Sequence, residues 1–160
     1  MFPINTPHGY FADPASINSE CMIQLRPGTP IVHCYHCTDG TRDMILTKPV
    51  AYVDPCGDAT VVPTDFRFNG LSNPIRTLWG LCDPYEPMTR DASVPHDWDC
   101  VFGTEWKKAA WRFYHAMIAA FIHSGKYTKR WDIVKNTVKA WFRWAAVRYI
   151  GIWFQKRYRS

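Results

Sequence analysis

The 160-residue chain predicts an α+β fold, and three observations predict it. Short runs of strand-forming residues, separated by turn signals, fill residues 21–63. A proline-rich connecting region follows over 64–100. Two stretches of helical periodicity then occupy about 105–124 and 128–157. The expected architecture is a small antiparallel sheet with two long C-terminal helices packed on it. Residues 1–20 are read as an extended arm, and 21–160 as one α+β domain.

Each element has a local reason. The arm is polar and rich in turn formers. Cys21–Leu25, Pro30–Tyr35, Asp43–Thr47, Val50–Val53 and Ala59–Val62 read as strands. Pro27-Gly28, Asp39-Gly40-Thr41 and Asp54-Pro55-Cys56-Gly57 mark the turns between them. Pro74, Pro84, Pro87 and Pro95 argue against any long helix before residue 100, apart from a short one near Ile75–Leu81. Thr104 then reads as a helix N-cap. Trp106, Ala109, Ala110, Phe113, Met117, Ala120 and Phe121 recur at helical spacing and predict a buried face. In the last helix the predicted buried face is Trp131, Val134, Val138, Trp141, Ala145, Tyr149 and Ile152. Lys135, Lys139 and Arg143 would form a basic stripe on another side.

Composition narrows the function classes. A hydrophobic content of 47% excludes a disordered chain. The start, Met1-Phe2-Pro3-Ile4-Asn5, lacks the basic and apolar stretches of a secretory signal, and no apolar run is long enough to cross a bilayer. Production in a cytoplasm is the expectation. The net charge of +5 conceals two opposed parts. From Lys126 to Ser160 ten basic residues face one acid, Asp132, whereas the preceding residues carry nine basic and thirteen acidic side chains. An anionic partner is therefore expected at the tail, on Lys135, Lys139, Arg143, Arg148, Lys156, Arg157 and Arg159. That partner is a nucleic-acid backbone, an interfacial membrane surface met by Trp and Tyr beside Arg and Lys, or an acidic protein. Solvated basic side chains covering an aromatic core would produce the same pattern.

Two clusters invite chemistry. Cys34 and Cys37 have metal-ligand spacing with His33 beside them, but four ligands make a zinc site and no second close pair follows. No cofactor is expected, with zinc as the alternative. His96-Asp97-Trp98 places an imidazole beside a carboxylate at a predicted loop-to-helix junction. The pair can bind metal or move a proton, and it can equally hold a loop against the backbone around Asn69, Ser72 and Pro74. No nucleophile elbow, phosphate loop or HExxH pair is present. The two helical histidines His115 and His123, eight residues apart, are not expected to share a metal.

Four blocks stand in a recognisable order: Val62–Pro74, Ala92–Trp98, Ala109–Met117 and Ala146–Gly151. They follow the pattern V-P-x-G-F-x-T-D-x-A-S-x-P, A-x-x-x-H-D-x-x-Y, A-D-x-x-F-x-x-A-M and A-V-R-x-x-G. On these blocks the chain, from about Lys48 to Trp153, resembles an uncharacterised family of small phage and prophage proteins, a domain of unknown function. The resemblance implies phage origin and no settled activity. Asn69 and Ala110 stand where the pattern has aspartates, so two hard anionic ligands are missing while His96 and Asp97 remain. An architectural role for Asn69, Ser72, Pro74, His96 and Asp97 is therefore expected. The function expected is that of a non-catalytic phage component, virion-associated or an assembly factor, whose partners are other phage proteins or an acidic surface. The alternatives are a metal-dependent hydrolase centred on His96 and Asp97, drawing on Asp65 and Asn69, and an inhibitor of a host enzyme. Elemental analysis of the reduced protein is expected to find no bound metal; about one zinc or manganese per chain would favour the hydrolase.

Overall fold

The structure is a computed structural model that describes residues 7–12, 35–37, 44–68, 86–123 and 130–158, the side chains of 35–37, 87, 123 and 150–158 excepted. It is an α+β fold, with two small antiparallel sheets and three helices among the described residues. One sheet has the order β1-β4-β5, formed by Tyr10–Ala12, Val50–Val53 and Ala59–Val62. The other has the order β2-β3-β6, formed by Tyr35–Cys37, Met44–Leu46 and Arg67–Phe68. The helices are α1 over Pro87–Val101, α2 over Trp106–His123 and α3 over Arg130–Tyr158.

The strands predicted at 43–47, 50–53 and 59–62 form, the first as Met44–Leu46, and the turn predicted at Asp54–Gly57 closes the β4–β5 hairpin. Asp54 organises that turn: its Oδ1 accepts the amides of Cys56 and Asp58 at 2.9 and 3.0 Å. Strand Cys21–Leu25 and the helix near 75–81 lie outside the described residues. Tyr10–Ala12, expected within the extended arm, pairs instead along β4, with Phe11 opposite Tyr52. Gly9 enters that strand at a φ of 72°, where an added Cβ would sit 2.2 Å from the Val53 carbonyl oxygen. Only glycine fits such a close approach.

Helix α1 corrects the expectation of a helix-poor region. Pro87 takes the first helical position, where a missing amide costs nothing. Pro95 lies inside the helix, which carries a penalty of about 3 kcal/mol in an isolated helix. Burial offsets it, since Met88, Thr89 and every residue from Asp91 to His96 are buried. The helix touches α2 and strands β4, β5 and β6, and so stands between both sheets and the C-terminal helices. His96 and Asp97 are thus mid-helix residues, not a loop-to-helix junction. Thr104 does not cap α2; its hydroxyl donates to Asp99 Oδ1 at 3.1 Å.

One apolar core joins these elements. Tyr52, Leu46 and Val62 from the sheets meet Val94 from α1 and Phe113 and Met117 from α2. Through its centre runs a polar clamp. The buried Arg112 guanidinium donates to both oxygens of Asp99 at 3.0 and 3.1 Å, lies 3.4 Å from Asp54 Oδ2, and bonds Thr60 Oγ1. One cation therefore ties the hairpin turn, strand β5 and the end of α1 to α2. Removing it strands two buried carboxylates. Arg112→Met is expected to cost about 3–5 kcal/mol, lowering Tm by roughly 10 °C. Adding Asp54→Asn and Asp99→Asn is expected to restore part of that loss, read by thermal denaturation.

Candidate functional site

Helix α3 forms over the predicted span, but its orientation reverses the predicted one. Ala140, Arg143 and Val147 are the buried residues. The side expected to be core faces solvent: Trp131 is 73% exposed, Trp141 51% and Tyr149 64%, with Val134, Val138 and Phe142 exposed beside them. Arg143, expected on the basic stripe, is fully buried and bonded to Glu86. Lys139 reaches the same carboxylate, 3.3 Å from Oε1. Burial opposes ionisation of Glu86, yet Arg143 and Lys139 outweigh it and hold its carboxyl below the ordinary value. Glu86 sits at the N-cap of α1, so this cluster fastens α3 to the start of that helix.

Among the remaining predicted contacts, Lys135 is exposed and Arg148 half-buried. The Arg148 guanidinium carbon lies 5.2 Å from the centre of the Trp144 ring and 5.8 Å from that of Tyr149. Lys156 and Arg157 are in α3 with undescribed side chains, and Arg159 lies outside the described residues. The outer face thus carries large apolar side chains along its centre and cations at its flanks, with Asp132 the single acid in the helix.

The second constellation is on α1. His96 is buried, with its Nδ1 3.2 Å from Asp97 Oδ1 and its Nε2 3.7 Å from Cys100 Sγ. The ring lies against Phe113 and Trp106, centroids 4.9 and 5.9 Å away. Burial alone would lower its basicity, but the bonds to Asp97 and Cys100 prevail and raise His96 to about 10. Three residues on, burial pushes the Asp99 carboxyl up against the pull of Arg112. Asn69, Ser72, Pro74 and Cys34 lie outside the described residues, Cys37 stands in β2 with an undescribed side chain, and Asp65 is exposed in the turn before β6. Among the described residues no three His, Cys, Asp or Glu side chains are grouped as a metal site. Cys100 was not singled out in the sequence; its i, i+4 spacing from His96 becomes visible once a helix is assigned there.

A third contact is between histidines. His8 Nδ1 and His115 Nδ1 are 3.1 Å apart, joining the segment before β1 to α2. Burial and the neighbouring His8 pull His115 down to about 4, and burial lowers His8. Both rings are less basic in the folded protein than in the unfolded chain, which protonates near the ordinary value of 6.5. The contact therefore stabilises fully above about pH 6.5 and is lost as pH falls toward 4. His96 has the opposite sign, since its contribution is complete below 6.5 and fades toward 10. Urea midpoints at pH 7.5 and 5.0 are expected to show a smaller acid loss in His115→Gln than in the wild type.

None of the described helices is long and apolar enough to cross a membrane. No curated protein matches the chain, and no solved structure matches it. One family does match, over residues 44–147, which takes in the hairpin, all of α1 and α2, and α3 as far as Val147. With well over half of its length covered, the chain belongs to the family described as protein of unknown function (DUF1353).

Proposed function

We propose that this is a non-catalytic interaction protein of phage origin, virion-associated or an assembly factor, which docks an acidic protein partner on the outer face of α3. The exposed side of that helix carries the reading. Monomeric proteins seldom leave a contiguous row of large apolar residues in water, and such a row marks an interaction site. Trp131, Val134, Val138, Trp141 and Ala145 repeat at alternating steps of three and four, the spacing with which one helix meets another apolar element. Charge selects the partner. Arg130, Lys135 and Arg148 stand near the row, so a second copy would set cation against cation, whereas an acidic partner is attracted and oriented. The phage setting rests on the four-block resemblance.

Trp131→Ser with Trp141→Ser is expected to leave stability within about 0.5 kcal/mol, because both side chains are largely in water already. Partner affinity is expected to fall by about 30-fold or more, as for buried aromatic anchors of an interface. The test is photo-crosslinking from Val138 in the full chain, with Lys107 on the exposed side of α2 as the control position. A discrete protein adduct from 138 that the double substitution removes, and that maps to an acidic apolar segment, supports the reading. If that adduct is a host enzyme, the chain is an inhibitor of it. Unfolding of the double variant, or crosslinks only to lipid or nucleic acid, would overturn the assignment.

A further inference from the structure

The His96 cluster holds a thiol, an imidazole and a carboxylate in series. Cys100 Sγ approaches one ring nitrogen at 3.7 Å, and Asp97 holds the other at 3.2 Å. A nucleophile beside a base that a third group orients is the arrangement by which weak nucleophiles are activated. We propose that Cys100 is a modification site for hydroperoxides, with His96 as its proton partner and Asp97 as a positioning residue.

Placement supports the assignment. His96 is buried against Trp106 and Phe113, so the interaction with sulfur acts in a low-dielectric setting. Cys100 itself is partly exposed. The charged groups nearest the ring are Asp97 and Asp99 on α1, the latter held by Arg112 of α2. From α2, Trp106 and Phe113 present uncharged rings to it.

The position also selects the chemistry. Cys100 lies in the last turn of α1. The amides of Phe102 and Thr104 are engaged by the carbonyls of Trp98 and Asp99. Acyl transfer needs amides free to hold an oxyanion, whereas displacement at peroxide oxygen does not. In that step the sulfur, facing a His96 ring that already carries its proton on Nε2, attacks the hydroxyl-bearing oxygen of the hydroperoxide. The S–O bond forms, the O–O bond breaks, and the leaving alkoxide takes the proton from His96. Sulfur loses two electrons to the peroxide, leaving a sulfenic acid and an alcohol, or water from hydrogen peroxide.

The molecule contains its own comparator, Cys56, exposed in the β4–β5 turn. The full reduced chain is treated with limiting iodoacetamide between pH 6.0 and 8.5, and each cysteine is followed by peptide mass spectrometry. At pH 6.0 Cys100 is expected to label about tenfold faster than Cys56 despite its lower exposure. Its rate is expected to stay nearly flat with pH while that of Cys56 climbs. Asp97→Asn is expected to shrink the advantage several-fold, and His96→Gln to abolish it. In a second arm, hydrogen peroxide followed by dimedone is expected to tag Cys100 ahead of Cys56. A Cys100 rate that tracks Cys56 across pH, or is slower throughout, overturns the thiol assignment in the unmodified protein. Fast alkylation without a dimedone adduct overturns the hydroperoxide.

Discussion

The Arg112 guanidinium is the contact on which the architecture turns. A lysine would offer a single charged point, but the planar fork of arginine donates to Asp99 and Thr60 at once while facing Asp54. Each of these partners has a second task. Asp54 holds the β4–β5 turn through its other oxygen, and Asp99 holds Thr104 by both its carboxylate and its carbonyl. Breaking the cation's contacts would release the hairpin and the α1–α2 connection together. At the opposite end of α1, buried Arg143 does comparable work on Glu86. A helix with a proline inside it is thus held by charge at both ends and by apolar contact between them.

That way of fastening α1 explains the unusual disposition of α3. The side α3 turns to the rest of the protein carries Ala140, Val147 and the polar anchor Arg143, with Trp144 packed on the core and the Arg148 carbonyl accepting from the Trp106 indole. Trp131, Trp141, Phe142 and Tyr149 stand on the other side, exposed. A helix apolar on two sides is characteristic of one buried on two sides. The inner side of the long C-terminal helix meets its own domain, and its exposed outer side is the one on which the proposed docking rests.

Legibility in the sequence divides along the same line. The helix at 106–123 was readable because its apolar residues repeat at helical spacing, and the Asp54–Gly57 turn because its residue types fit no strand. Periodicity also found the apolar row on α3, but a period cannot say which body covers a row; that depends on Glu86 meeting Arg143 across 57 positions of sequence. Helix α1 was hidden by prolines, whose local rule is overridden by burial. With the helix hidden, the pairing of His96 with Cys100 was hidden as well. Asp65, in the turn before β6, adopts a φ of 67°, which no periodicity in the sequence signals. Aspartate tolerates that left-handed conformation better than most side chains.

Trp106 places the thiol cluster and the outer helix in one physical line. Its ring stands edge-on to His96 on one side, and its indole N–H donates to the Arg148 carbonyl at 3.2 Å on the other. Arg148 in turn covers the Trp144 and Tyr149 rings, the latter on the exposed side of α3. An added oxygen on Cys100 alters the partner of His96 Nε2, and the ring most directly beside that change is Trp106. Contiguity alone does not make coupling; a coupled pair of sites must each favour one of two arrangements.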